Sequence, residues 1–166
     1  MGIREDNEGV AAWLAMVQSH AVLLEALERD LTAAHNLPLT WFEVLMRLVE
    51  APQGMVQMQD LVETAWLSKS GVTRLVDRMA AAGLVDRQAC ASDRRVTYAR
   101  ITPAGRRALT AAIPTHVADV EREFAQHLTV EEQRVLRQLL TKVLQAHGRV
   151  PETCGAVEQA SDAETA

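Results

Sequence analysis

The stretch from Ala82 to Gly105 constrains this chain more than any other. Ala82-Gly83-Leu84-Val85-Asp86-Arg87 reads as a helix stopped by a glycine and followed by a strand. Ala91-Ser92-Asp93-Arg94-Arg95 is a charged tip, and Val96-Thr97-Tyr98-Ala99-Arg100-Ile101 returns as a second strand. Thr102-Pro103-Ala104-Gly105 then joins an N-cap to a proline at the first helical position, the usual opening of a new helix. Gly83 is placed where a left-handed residue closes a helix. Helix, hairpin and helix thus follow one another within a few dozen residues.

Upstream, a short helix is predicted around Met58–Ala65, and Ser68 caps a second that runs to about Ala82. In the second, Val72, Leu75, Val76 and Met79 share a face, while Lys69, Ser70, Thr73, Arg74 and Arg78 fall largely elsewhere. With the hairpin this makes a winged helix–turn–helix in a mainly α chain. Arginines on a projecting hairpin suit the narrow, electronegative minor groove of DNA. The net charge of −5 argues against indiscriminate binding to polyanions. From Ser68 to Arg107, however, nine Lys/Arg face three Asp, a local +6, which leaves −11 on the remainder. A basic face on an acidic body favours one defined docking surface.

The 166 residues suffice for one domain, or for two small units sharing a helix. With 48% hydrophobic but only 4% aromatic residues, the core must be Leu, Val, Ala and Met, which fits packed helices. The start, Met1-Gly2-Ile3-Arg4-Glu5-Asp6, lacks the apolar core of a signal peptide. No apolar run is expected to approach the ~20 residues of a membrane span. A cytoplasmic protein is expected. Cys90 and Cys154 show neither metal-ligand spacing nor a disulfide framework. The chain has no Gly-rich phosphate loop, no nucleophile elbow and no ligand cluster at metal spacing. His116 and His127 are read as lying on one helix, too far apart for a site. Neither an enzyme nor a cofactor is expected.

A long helix is predicted from Val10 to about His35, with Val10, Trp13, Leu14, Val17, Ala21, Leu24, Leu27 and Leu31 as its stripe and Asn36-Leu37-Pro38 as its stop. Thr40 with Glu43 predicts a capping box for the next helix, buried through Phe42, Leu45, Met46 and Val49. The helix after Thr102 carries Leu109, Ile113, Val117, Val120 and Phe124, with a kink or break at Pro114. Thr129 with Glu132 opens a last helix through Leu136, Leu139, Leu140, Val143 and Leu144. The Glu-, Ala- and Thr-rich tail from Val150 reads as disordered. The first and last two helices have more apolar surface than a small winged domain covers. They pack on each other or on a second copy, and recognition-helix geometry favours a dimer on a palindromic site.

The run Leu67-Ser68-Lys69-Ser70-Gly71-Val72-Thr73-Arg74-Leu75-Val76-Asp77-Arg78-Met79, with Gly83-Leu84-Val85, Asp93-Arg94-Arg95 and Ile101-Thr102-Pro103-Ala104-Gly105, resembles the multiple-antibiotic-resistance regulator (MarR) family of bacterial transcription factors. The resemblance spans about Val10 to His147. It implies a single domain over 8–149, with a recognition helix at about 68–82, a wing at about 84–101 and dimerisation helices at about 10–35 and 103–147. It implies a homodimer on double-stranded DNA, the helix from Ser68 in the major groove and the Asp93–Arg95 hairpin in the minor groove. Family members commonly repress transcription and leave DNA when a small, often aromatic, anion binds; others sense oxidants through a cysteine.

The DNA-binding candidates are therefore Ser68, Lys69, Ser70, Thr73, Arg74, Arg78, Asp93, Arg94 and Arg95. Ser68 serves first as a cap, and Arg78 suits the phosphate backbone better than base edges. Arg95 matches the family's minor-groove arginine, and Asp93 the acid that holds it. Trp13, His20, His35 and Trp41 are candidates for an effector pocket, against core packing for the tryptophans and surface exposure for the histidines. Cys90 would be a redox sensor only if Arg87 or Arg94 stabilised its thiolate, and oxidant-sensing relatives place their cysteine in the first helix instead. The expected function is a dimeric regulator, a repressor released by a small ligand. The alternatives are a cysteine-based redox regulator and a winged protein-interaction module without DNA binding.

Overall fold

Asn7 starts the first helix, its side-chain oxygen accepting from the backbone N–H groups of Gly9 and Val10 at 2.9 and 3.2 Å. The computed structural model describes residues 7–64, 69–89 and 96–149. Helix α1 spans Glu8–His35 and closes on Asn36 at φ 51°, a left-handed cap that asparagine tolerates. Helix α2 spans Leu39–Glu50. The capping box expected from Thr40 and Glu43 does not form, because the helix begins one residue earlier and Pro38, which has no side-chain acceptor, occupies the cap. Glu28 of α1 supplies the acceptor from outside, its Oε2 lying 2.6 Å from the Leu39 N–H.

After a 3-10 turn at Pro52–Gly54 come strand β1 (Met55–Gln57), helix α3 (Met58–Thr64) and helix α4 (Lys69–Ala81). Strands β2 (Val85–Ala89) and β3 (Thr97–Ile101) form the hairpin. The sheet is antiparallel in the order β1-β3-β2, with Val56 and Arg87 opposite Ala99 and Val85 opposite Ile101. Strand β1 was not expected; three residues are too few to display an alternation.

Helix α5 spans Pro103–Glu123 and α6 Val130–Ala146, joined by a 3-10 turn at Ala125–His127. Of the kink or break expected at Pro114, the break does not occur, since one helix runs through it. Thr110 and Pro114 are both exposed, so the carbonyl that proline leaves without a donor has access to water. His127 lies on the turn and not on the helix of His116, a correction to the expectation. Thr129 and Glu132 do form their capping box. The two hydrogen bonds from Thr129 hold the Glu132 carboxyl below its ordinary value.

One core joins all of this except α6 and the first half of α1. It is built from Leu31 and Leu37, the α2 residues Leu39, Phe42, Val44, Leu45 and Leu48, Leu61 of α3, and Val72, Leu75, Val76 and Met79 of α4. Val85, Ala99 and Ile101 of the sheet and Leu109 and Ala112 of α5 complete it. Val117, expected on the buried side of α5, is exposed. Helix α1 is, contrary to expectation, long and apolar enough to cross a membrane by length and composition. Its second half carries Glu25, Glu28, Arg29 and Asp30 and packs against α5, the placement of an amphipathic packing helix.

Candidate nucleic-acid interface

Helix α4 divides into two faces. Val72, Leu75, Val76 and Met79, at the i, i+3, i+4, i+7 spacing, are buried against α3 and the sheet. Arg74, Asp77 and Arg78 are exposed, and Thr73 is half-buried. Lys69 and Ser70 open the helix. Ser68, Asp93, Arg94 and Arg95 lie outside the described residues, as does Cys90.

The end of α4 is tied to the root of the hairpin. Gly83, at φ 73°, donates its N–H to the Ala80 carbonyl at 2.9 Å, and Leu84 donates to Met79 at 3.0 Å. This pair of bonds is a Schellman closure, and it delivers the chain directly into β2. The Thr102 hydroxyl donates to the Gly83 carbonyl at 2.7 Å and accepts from the Gly105 N–H at 3.0 Å. One hydroxyl therefore closes α4 and opens α5. Gly105 is packed so tightly that a Cβ would collide with the Leu84 carbonyl oxygen.

A second tie is ionic. Arg87 Nη1 of β2 lies 2.5 Å from Asp77 Oδ1 of α4, a link between the helix and the hairpin. Sequence reading assigned Asp77 no role and considered Arg87 as a partner for Cys90; the structure pairs Arg87 with Asp77. The ten-residue separation hides such a pair from any local pattern. On the outer sheet face Asp86 stands opposite Arg100.

The four effector-pocket candidates are not brought together within one chain. Trp13 is 60% exposed and His20 is exposed, one above the other on α1. His35 lies about 33 Å further along the helix from Trp13 at 1.5 Å per residue. Its Nε2 is 2.8 Å from Thr115 Oγ1 of α5. Trp41 is half-buried against the core.

Sequence reading set His116 aside, took Phe42 as core only, and gave Asp119 and Asp30 no role. The Phe42 ring of α2 meets the His116 ring of α5 at a centroid distance of 4.5 Å, tilted 35°. Burial pushes the His116 imidazole below its ordinary value, opposed by the negative charge of Asp119. Asp119 is buried, with Oδ1 2.7 Å from Arg122 Nη2, and the same guanidinium reaches Asp30 Oδ2 of α1 at 2.5 Å. The hydrogen bond from Arg29 holds Asp30 below the usual carboxylate range, against a smaller effect of burial. Only the His-x-x-Asp spacing at 116 and 119 could have drawn attention to the pair.

Residues 35–96 match the MarR family model. A helix–turn–helix-type transcriptional regulator of Bacillus cereus is 30% identical over 146 residues, which cover 85% of this chain and 92% of the relative. AbsC, a MarR family transcriptional regulator from Streptomyces coelicolor, superposes with a TM-score of 0.79 at 30% identity, covering 89% of this chain and 99% of that one. Sco3205, another MarR family regulator from the same organism, was solved in complex with DNA; it gives a TM-score of 0.76 at 28% identity, over 86% of this chain and 88% of that one.

Proposed function

Because this chain belongs to the MarR family of transcriptional regulators, we propose that it acts in the cytoplasm as a homodimeric repressor that grips a palindromic operator. The observation that carries this reading is the concentration of nine basic residues on α4, the hairpin and the start of α5, in a chain that is otherwise strongly acidic. Phosphate contacts supply most of the affinity. Ser70, Thr73 and Arg74 read base edges in the major groove, Arg95 probes the minor groove with Asp93 holding it, and Lys69, Arg78 and Arg94 meet phosphates beside the Ser68 cap. The unit extends over 8–149, with the recognition helix at about 68–82 and the wing at about 84–101.

The dimer is supported by apolar surface that the chain itself leaves open. On α1, Trp13, Leu14, Met16, Val17 and Val22 are exposed, and on α6, Val135, Leu139, Leu140 and Val143. A second copy covers both stripes and sets two recognition helices about one DNA turn apart, roughly 34–36 Å. An aromatic acid or phenol releases the operator by binding more tightly to a dimer whose helices are off-register. Trp13, His20, His35 and Trp41 are its candidate contacts, and their separation along α1 means that such a site draws on both protomers.

Selection of binding sites from random duplexes at fixed salt tests the proposal, followed by a screen of aromatic acids for release. The expected product is a two-fold symmetric site. Arg74→Ala and Arg95→Ala should each weaken binding to it by on the order of 1–3 kcal/mol without loss of fold. Recovery of no enriched sequence, with both variants binding as the parent does, would leave a winged protein-interaction module as the better reading.

A further inference from the structure

His116 and Asp119 sit one turn apart on α5, where side chains three residues apart have Cβ atoms roughly 5–6 Å from each other. Two of their atoms are buried without a hydrogen-bond partner among the described residues, His116 Nδ1 and Asp119 Oδ2. An unpaired polar atom in the interior is costly, and two so close on one helix face point to an arrangement in which they meet. They cannot pair while the neutral ring carries its proton on Nε2, because both atoms are then acceptors.

We propose that His116 and Asp119 form a proton-operated latch at the seam between α2 and α5. His116 takes one proton from solvent at Nδ1, the new N–H donates to Asp119 Oδ2, and the ring leaves its stack on Phe42. One proton thereby satisfies both unpaired atoms, and the seam loses its aromatic contact. The groups facing the ring leave Asp119 as the charge that acts on it among the described residues. From α2 it meets Phe42, while Glu43 and Arg47 have interactions of their own. From α1, His35 is engaged with Thr115, Asp30 is held by Arg29 and Arg122, and Glu28 accepts from the Leu39 N–H.

The other end of α5 is bound through Thr102 to the carbonyls of Gly83 and Leu84. A change in how α5 sits on α2 is therefore passed to the end of α4 and the root of the hairpin. The proton step concerns the free protein alone, whereas its effect on DNA rests on the function proposed above.

The test is an NMR titration of the uniformly labelled full chain from about pH 8 to about pH 5, a range that brackets an ordinary histidine. The His116 Hε1, Phe42 ring and Asp119 amide signals should move together with one midpoint. Asp119→Asn should lower that midpoint, since it removes the charge that favours the imidazolium. His116→Phe should abolish the pH response at Phe42. A silent Phe42, or no shift in Asp119→Asn, would overturn the latch. Operator affinity of the parent should fall several-fold across the same transition and stay level in His116→Phe. A parent that titrates as expected but binds equally at both ends refutes the coupling to DNA. A protein that binds no operator at any pH refutes the proposed function and leaves the latch standing.

Discussion

Asp77 and Arg87 are both partly exposed, at 51% and 37% of their side chains, so their ion pair adds little to folding. It ties α4 to β2, so its expected effect is on how the two elements sit together rather than on stability. Asp77→Asn should change unfolding free energy by less than about 1 kcal/mol in urea titrations. Operator affinity should nevertheless drop, and the exchange Asp77→Arg with Arg87→Asp should recover part of it. Equal affinity for Asp77→Asn and parent would show that the two elements are held together by the backbone bonds alone. His116 makes a different claim on stability. Its folded-state pKa is lowered, so below 6.5 the unfolded chain takes up a proton before the folded one does. Stability is undiminished above 6.5 and declines as pH falls from there towards the depressed folded value. Melting temperatures of His116→Phe should lack this slope.

Among the elements, the junction of α4, the hairpin and α5 is the most sensitive. Thr102→Ala removes a cap and an anchor together and should cost about 1–2 kcal/mol. Gly105→Ala drives a methyl into the Leu84 carbonyl and should cost about 1–3 kcal/mol, measured as a shift in denaturation midpoint. This junction was readable beforehand because its signals are local: Gly83, Thr102 and Pro103 each carry a fixed backbone requirement. The helices at both ends were readable from their periodicity. Strand β1 and the Glu28 cap of α2 were not, since a three-residue strand has no pattern and a cap drawn from another helix leaves no trace near Thr40. The basic window from Ser68 to Arg107 was legible through charge, which needs no fold to be counted. The Asp77–Arg87 pair and the buried His116–Asp119 pair depend on tertiary placement, and only one of them keeps a short spacing.

At the scale of the molecule, the buried interior and the apolar stripes do not coincide. No residue of α6 is buried, nor any in the first half of α1, although both carry apolar side chains at helical spacing. Leu139→Glu, at a position 56% exposed, should halve the mass seen by light scattering to 18.3 kDa at concentrations where the parent is dimeric. An unchanged mass would place the subunit contact elsewhere. If the stripes are closed by a second copy, the helices at the two ends of the chain owe their order to mass action. Isolated helices of this length are marginal in water without a packed face. Dilution then acts on them as a denaturant would, fraying both ends while the winged core persists. The melting temperature should climb with protein concentration, and circular dichroism should lose helical signal on dilution before any cooperative transition begins.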